Sequence, residues 1–199
     1  MASLPTYDKS KRRTSFEQLP KDAYVVKILG AKEEEGNYGP HISIAFDIAE
    51  GKYKGFYQSI FERNTNEDKK WPYDAVFYLN VPQDNSPEWI WRNWNSFFAD
   101  LEDSNNGFVF DGDLKKLKGK LIGGKFHNKQ RESNGNVYDH IVMRYSCVAE
   151  DVRQGKAGKM PPDKLIGQGQ RSPAPAAAPS SELDGFVNLP AGGDEDLPF

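Results

Sequence analysis

The sequence predicts a mainly β protein: a small five-stranded barrel with one helix between its third and fourth strands, followed by a disordered tail. Two observations predict the barrel. Short segments of alternating apolar and polar residues recur between glycine-rich turns, and a single longer segment shows helical spacing. A third observation predicts the tail, because every apolar period disappears beyond about residue 160. At 199 residues the chain can hold one such domain with extensions, or two small domains.

The composition is that of a soluble protein without a metal centre. Hydrophobic residues make up 37% of the chain and charged residues 28%, and no apolar run approaches the roughly 20 residues that cross a membrane. Residues 1–10 lack the apolar core of a signal peptide. A lone cysteine, Cys147, excludes an internal disulfide and indicates a reducing cytoplasm. The scattered His41, His127 and His140 do not have the spacing of a zinc site, so we expect no metal and no cofactor.

The net charge of −3 hides an asymmetry between body and tail. Residues 167–199 contain one basic residue, Arg171, against five acidic ones, a net charge of −4, so the first 166 residues carry +1. The body is near neutral, and any affinity for nucleic acid must come from where its basic residues lie. An acidic tail on such a body is typical of an interaction arm.

The N-terminal half of the predicted barrel follows a polar leader. Residues 1–20 include four basic side chains and are interpreted as a flexible basic arm, which contacts phosphates or is a solvated leader without a function. Residues 23–33 are predicted as the first strand and are apolar on both faces, as in a closed barrel. A glycine-rich turn at 36–40 leads to the second strand, residues 41–50, in which positions 42, 44, 46 and 48 are all apolar.

The turn at residues 51–55 combines charge with a ring. Two glycines bracket Lys52-Tyr53-Lys54, and the third strand is predicted to follow at residues 56–62. Lysines that flank a tyrosine on a tight turn offer a stacking surface and positive charge close together, which is what a protein that binds single-stranded nucleic acid needs. The alternative is an ordinary hairpin with solubilising lysines and a tyrosine that covers the end of the barrel.

The long connection at residues 64–80 is rich in aromatic residues, which must either pack against the barrel or bind a ligand. Phe77 and Tyr78 are expected to pack on the barrel. A second group in this connection joins charge to a ring and is a candidate contact for nucleic acid: Lys69, Lys70 and Trp71.

Residues 86–102 are predicted as the helix of the barrel. Ser86 can cap its N-terminus, Pro87 suits the first turn, and apolar residues recur along one face. Trp89 and Trp91 lie off that face, and they either cover the barrel or serve a partner.

Two further strands complete the predicted barrel, a fourth at residues 120–128 and a fifth at residues 137–149. A hairpin turn at 133–136 separates them. Gly123 and Gly124 lie inside the fourth strand, where glycine marks a bend or a close approach of backbones.

The order of three strands, a helix and two strands is that of an OB-fold, a five-stranded barrel with a helix between strands three and four. We therefore divide the chain into four parts. A basic arm covers 1–20, an OB-fold domain 21–159, a disordered linker rich in Pro, Ala, Gly and Ser 160–193, and an acidic tip 194–199.

The tip is short and acidic and ends in a hydrophobic residue; it consists of Asp194, Glu195, Asp196, Leu197, Pro198 and Phe199. Pro198 keeps the backbone extended, so Phe199 can enter a pocket at a small cost in ordering while a basic rim binds the carboxylates. This order of residues resembles the C-terminal tip of bacterial single-stranded DNA-binding proteins, in which acidic residues precede a final Pro-Phe.

The body resembles phage-encoded single-stranded DNA-binding proteins over roughly residues 20–155. The resemblance rests on the run at residues 46–56, on Lys70-Trp71-Pro72 and on the basic turn at residues 117–120. Together with the tip it implies a replication or recombination protein that coats single-stranded DNA without catalysis in the cytoplasm of a bacterial host. Helicases, nucleases or primases are the partners that such a tip recruits, and the resemblance favours a homodimer.

The interpretation yields a set of candidate contacts for single-stranded DNA. Lysines and arginines neutralise phosphates, and aromatic faces stack on bases. The tyrosines could equally pack the barrel, and strand register could shift any member of the set by one position. The candidates are Lys27, Tyr38, Lys52, Tyr53, Lys54, Tyr57, Lys69, Lys70, Trp71, Lys125 and Arg144.

Two other classes of function remain open. A replication adaptor would use the tip to bind partners while its barrel binds protein or structured RNA. An enzyme such as a nuclease would need clustered carboxylates on a rigid frame, a phosphate-binding loop or a Ser-His-Asp set, and the sequence shows none of these. We therefore expect a protein that is not an enzyme.

Overall fold

The computed structural model describes residues 18–36 and 39–166. The first 17 residues of the predicted arm, Tyr38, and the chain from residue 167 onward, which includes most of the linker and the acidic tip, lie outside the described residues. The described chain is mainly β, with strands β1 (Ala23–Gly36), β2 (Gly39–Ile48), β3 (Val76–Asn80), β4 (Leu121–Ser133) and β5 (Asn136–Cys147). It also contains helices α1 (Phe56–Arg63), α2 (Glu88–Ser104) and α3 (Ala149–Arg153), and short 3-10 turns at Tyr73–Ala75 and Leu114–Leu117.

The five strands of the described chain form one antiparallel sheet in the order β3-β2-β1-β4-β5. β1 lies at its centre because it pairs with β2 along one edge and with the start of β4 along the other. Ile42, Ile44 and Phe46 of β2 are buried in the core, which confirms the predicted alternation. β3 and β5 are the edge strands, and no ladder of hydrogen bonds joins them within the described residues, so the described sheet is open there.

Residues 56–62, predicted as the third strand, form helix α1 instead, so this prediction is wrong. The reason lies in Asp47, whose buried carboxylate accepts hydrogen bonds from the backbone N–H groups of Tyr57 (3.0 Å) and Gln58 (3.3 Å). These N–H groups belong to the first turn of α1 and have no partner inside the helix. A carboxylate at this end also interacts favourably with the helix dipole. Gly55 precedes the helix in the left-handed conformation, with a φ of 72° that glycine adopts without strain.

The third strand is β3, which lies inside the connection predicted at residues 64–80. Phe77 packs as predicted, since its ring stacks on that of Phe97 in α2 with centroids 5.6 Å apart. Leu79 is also turned toward the core and is buried. Tyr78 points to the opposite side of the sheet and is 41% exposed, contrary to the expectation that it packs.

Helix α2 confirms the predicted helix but begins and ends two residues later than expected. Phe97 and Leu101 are buried on its inner face, while Trp89 and Trp91 are exposed. The predicted cap is wrong, because the hydroxyl of Ser86 accepts a hydrogen bond from a backbone N–H of the preceding loop (2.8 Å) and none from the helix.

The β4–β5 hairpin brings backbones very close together, as the glycines predicted. A Cβ atom at Gly123 would lie 2.7 Å from Sγ of Cys147 and 2.8 Å from Cγ2 of Val152 in α3. Asn134 and Gly135 form the expected turn, with φ values of 51° and 73°. Helix α3 was not predicted, and it follows β5 so closely that the strand ends two residues before its expected limit.

The core of the described chain is one cluster in which rings from the sheet and the helices meet. Phe46 packs edge to face against Phe126 of β4 and against Tyr57 of α1, with ring centroids 5.8 Å apart in both pairs. Leu19 is also buried, so the packed chain begins before β1. Within the described ranges, no helix is both long and apolar enough to cross a membrane.

The C-terminal end of the described chain, residues 162–166, lies beside the part of β4 that extends beyond β1. The backbone N–H of Lys164 donates to the carbonyl of Asn128 (2.8 Å), and its own carbonyl accepts from the N–H of Gln130 (2.9 Å). Asp163 forms an ion pair with Lys21 (2.7 Å). Both ends of the described chain are therefore held next to β4.

Candidate nucleic-acid interface

The predicted DNA contacts of the described chain fall into small groups, and the first is the turn at residues 51–55. Nζ of Lys52 lies 4.8 Å from the centroid of the Tyr53 ring and 3.2 Å from its hydroxyl oxygen. The Tyr53 ring packs edge to face against Tyr24 (5.9 Å) and Phe56 (6.2 Å) and is half-buried. The turn thus places a lysine against a tyrosine ring as predicted. Part of that ring is covered by Tyr24 and Phe56 and is not available to a base.

Lys27 and Lys54 line one shallow cavity of about 460 Å³. Leu29 and Leu121 contribute apolar atoms to its wall. Glu50 also lines it and is paired with Arg153 of α3 (2.7 Å), and this hydrogen-bonded guanidinium lowers the pKa of the Glu50 carboxyl. The cavity therefore combines two lysines with two carboxylates, that of Glu50, which Arg153 neutralises, and that of the buried Asp47.

Tyr57 is a predicted contact that lies inside the protein. It is 2% exposed, and its hydroxyl donates a hydrogen bond to the carbonyl of Ile141 in β5 (3.4 Å). Burial raises the pKa of its phenol well above the usual value. Tyr57 therefore packs in the core and does not stack on bases, because its ring is not accessible from solvent.

Lys69 and Trp71 meet around Phe61 of helix α1. Nζ of Lys69 lies 4.7 Å from the centroid of the Phe61 ring, and that ring lies 5.5 Å from the ring of Trp71. The indole N–H of Trp71 donates to the carbonyl of Ala75 (3.3 Å), which fixes the orientation of the half-buried ring. Lys70 is exposed beside them. Lys69 and Trp71 therefore lie close together in the folded protein, on either side of the Phe61 ring that helix α1 supplies.

Lys125 and Arg144 meet around Tyr145 on the β4–β5 hairpin. Lys125 is the cross-strand partner of Tyr145, and the guanidinium of Arg144 lies 5.3 Å from the Tyr145 ring centroid. Burial raises the pKa of nearby Asp100, while its hydrogen bond with Ser146 and the charge of Lys125 oppose that rise. Arg144 is exposed and Lys125 is half-buried, so Arg144 is the more accessible of the two predicted contacts.

A row of neighbouring rings on the outer face of the sheet was not predicted from the sequence. The ring of His41 lies 5.5 Å from that of Tyr78, and the ring of Tyr78 lies 6.1 Å from that of Tyr73. The guanidinium of Arg131 is 3.8 Å from the centroid of the Tyr73 ring and donates a hydrogen bond to the Tyr73 hydroxyl. We call His41, Tyr78, Tyr73 and Arg131 the aromatic row.

Alternation along neighbouring strands brings the aromatic row to one surface. His41 of β2 and Tyr78 of β3 occupy positions whose neighbours in each strand face the core. Lys32 of β1 is in line with Tyr78 across β2. Tyr73 and Arg131 come from opposite sides of the opening in the sheet, since Tyr73 belongs to the turn before β3 and Arg131 to the far part of β4.

The aromatic row combines neutral rings with cationic groups. Burial raises the pKa of both Tyr73 and Tyr78, so both phenols are uncharged at neutral pH. Lys32 forms an ion pair with Glu34 (2.5 Å), and Nε2 of His41 lies 3.9 Å from the same carboxylate. Because Tyr78 is 41% exposed, its ring can receive a planar ligand from solvent. Rings of this kind beside cations can stack on bases and contact phosphates.

One signal in the sequence could have found part of the row. Phe77, Tyr78 and Leu79 alternate as a strand does, and this alternation places Tyr78 on the face opposite the core. Tyr73 and Arg131 are 58 residues apart, and only the strand order of the folded sheet brings them together.

Two further predictions concern metals and partners. In residues 18–36 and 39–166, no group of three His, Cys, Asp or Glu side chains is arranged so that it could hold a metal ion. The acidic tip, Asp194 to Phe199, lies outside the described residues, so its role as a partner-binding segment stays a prediction.

No model of a known protein family matches the chain. No curated protein has a significantly similar sequence.

Proposed function

We propose that the protein binds single-stranded DNA without sequence preference and that the aromatic row is a surface on which bases stack. The observation that carries the proposal is the contact series from His41 through Tyr78 and Tyr73 to Arg131. Tyr78 is exposed, and the other three side chains are partly buried. Base–ring stacking is tolerant of sequence because every base has a π face, and an arginine over a ring adds a cation–π contribution.

The architecture supports this proposal through its strand order. An OB-fold is a partly open five-stranded barrel that binds oligonucleotides on the face of strands two and three and on the loops between strands one and two and strands four and five. The order β3-β2-β1-β4-β5, with α2 between β3 and β4, fits that description. Side chains reach β5 from outside β3, because Tyr57 of α1 bonds to Ile141 and Asp74 of the turn before β3 bonds to His140. We therefore interpret the domain as an OB-fold closed by side chains.

Cationic groups around the domain supply the charge that phosphates require. Lys32 and Arg131 lie at the aromatic row itself. The proposal counts the other cations among the candidates as further phosphate contacts, and they are Lys27, Lys52, Lys54, Lys69, Lys70, Lys125 and Arg144. Each phosphate contact releases counterions, so affinity should fall steeply as salt rises. The acidic tip then binds a replication or recombination protein in the cytoplasm of a bacterial host.

Fluorescence anisotropy with a labelled oligo-dT at about 50 mM and about 200 mM salt tests the proposal. Tyr78→Ala should weaken binding by about 1–3 kcal/mol, or about 5- to 150-fold, because one stacking ring is lost. Trp91→Ala is the matched control, since Trp91 is also 41% exposed but lies on helix α2. The control should bind as tightly as the wild type.

Each negative result has a separate meaning. Absence of binding by the wild type even at the lower salt concentration would end the proposal and favour the adaptor. Equal affinities of the Tyr78→Ala and Trp91→Ala proteins would mean that the aromatic row is not part of the DNA interface. Deletion of residues 194–199 should leave or strengthen DNA affinity while it abolishes capture of a protein partner.

A further inference from the structure

Two side chains hold the 3-10 turn at Tyr73–Ala75 against strand β5. Nδ1 of His140 lies 2.9 Å from Oδ1 of Asp74 and 3.2 Å from Oδ2. Both side chains are about one-third exposed, at 30% for His140 and 31% for Asp74. The pair spans the opening of the sheet, since Asp74 precedes β3 and His140 lies on β5.

The same turn carries the central ring of the aromatic row. Tyr73 directly precedes Asp74, and Arg131 of β4 lies over its ring. The turn has three residues, and no ladder joins β3 to β5 in the described chain, so side-chain contacts such as this one determine where the turn lies relative to β4 and β5. A weaker Asp74–His140 contact would let Tyr73 move away from Arg131 and interrupt the row.

We propose that the Asp74–His140 pair positions the aromatic row, and that protonation of His140 strengthens this contact and so raises the affinity for single-stranded DNA. The inference rests on the proposed function. A hydrogen bond from an imidazolium to a carboxylate is stronger than one from a neutral imidazole, so protonation increases the fraction of molecules in which the row is assembled. The apparent affinity rises in proportion to that fraction.

Other charged or titratable side chains face the pair from the elements packed around it. Burial raises the pKa of Asp74, while the charges of His140 and Arg131 oppose that rise. Lysine, arginine, aspartate and tyrosine ordinarily keep their charge between about pH 6 and about pH 8, whereas histidine does not. A free α-amino group titrates in the same range, so a change in affinity reports on His140 only if it is lost in variants of the pair. The facing groups are Lys129 and Arg131 of β4, Asp139 of β5 and Tyr57 of α1.

The test is the affinity of the full-length protein for a labelled oligo-dT at about pH 6 and about pH 8, at constant ionic strength. We expect the wild type to bind about two- to fivefold more tightly at the lower pH. Asp74→Asn removes the carboxylate but leaves His140, and it should abolish the difference and weaken binding at the lower pH. His140→Gln should give the same result. Trp91→Ala should keep the difference, because Trp91 lies on α2, outside both the pair and the aromatic row.

The outcomes separate the positioning role from the alternatives. A pH difference that persists in Asp74→Asn would mean that histidine charge acts on phosphates directly, and it would overturn the inference. Wild-type binding that is equally tight at both pH values would also overturn it while leaving the proposed function intact. A wild type that binds at neither pH would refute the proposed function itself. Circular dichroism shows whether each variant is folded. Asp74→Asn and His140→Gln must both lose the pH difference for the inference to hold.

Discussion

Replacement of Gly123 by alanine tests how closely β4, β5 and α3 approach one another. The added Cβ would lie 2.7 Å from Sγ of Cys147, 2.8 Å from its carbonyl oxygen and 2.8 Å from Cγ2 of Val152. Real Cβ atoms essentially never have neighbours this near, and one of the three atoms belongs to the backbone, so the ladder or the helix has to shift. Overpacking of this kind lowers the free energy of unfolding by about 1–3 kcal/mol, occasionally more.

Two other glycine-to-alanine changes form a graded control. Gly124→Ala would bring Cβ to 2.9 Å from Sδ of Met143 and 3.0 Å from Cε2 of Phe126. The Met143 side chain is flexible and can move, so we expect a loss of about 1 kcal/mol. Gly30→Ala meets no atom within 4 Å. Because alanine restricts the unfolded chain, this change should be neutral or stabilise the protein by about 0.4–1 kcal/mol.

Urea denaturation followed by tryptophan fluorescence measures these differences by linear extrapolation. The expected order of stability places Gly30→Ala at or above the wild type, then Gly124→Ala, then Gly123→Ala. A Gly123→Ala protein within about 0.5 kcal/mol of the wild type would refute the close packing of the three elements.

Three further perturbations have expected outcomes. Asn105→Ala removes the side-chain amide that joins α2 to β4 by hydrogen bonds of 2.7–3.0 Å, so the free energy of unfolding in urea should fall by about 1–3 kcal/mol, and an unchanged value would contradict the role of this amide. Burial lowers the pKa of His127, whose Nδ1 lies 2.8 Å from the carbonyl oxygen of Pro162. The folded protein favours the neutral imidazole, so stability measured by thermal unfolding should be lost as pH falls from about 7 to about 5, and His127→Asn should flatten this part of the profile. Burial raises the pKa of the Cys147 thiol to about 11, so a thiol reagent at about pH 8 should modify it only as fast as the protein opens; rapid labelling of the native protein would argue against burial.

Most of the sheet could be predicted because its signals are local. The alternation along β2 and the turn at Asn134-Gly135 depend on neighbouring residues alone, and both were found. The third strand was misplaced because helix α1 depends on Asp47, which lies ten residues before Tyr57 and caps the helix only in the folded protein. With that segment assigned to a strand, the five residues of β3 were left inside a loop.

The candidate site could be predicted only where its members are close in sequence. Lys52 and Tyr53 are adjacent, and Lys69 and Trp71 are two residues apart, so charge and ring could be recognised together. The aromatic row joins residues from β2, β3, β4 and a turn, and no spacing in the sequence indicates that they meet. Tyr57 lies in the core because α1, rather than a strand, carries it and turns its ring inward.

The segment at residues 162–166 has a practical consequence for anyone who shortens the chain. It occupies the backbone donors and acceptors of Asn128 and Gln130 where β1 no longer pairs with β4. A chain cut after residue 159, where composition suggests that the domain ends, would leave this stretch of β4 as a bare edge. Bare edges recruit strands from other molecules, so such a fragment would self-associate and precipitate. A fragment for work in solution has to extend at least to Ile166.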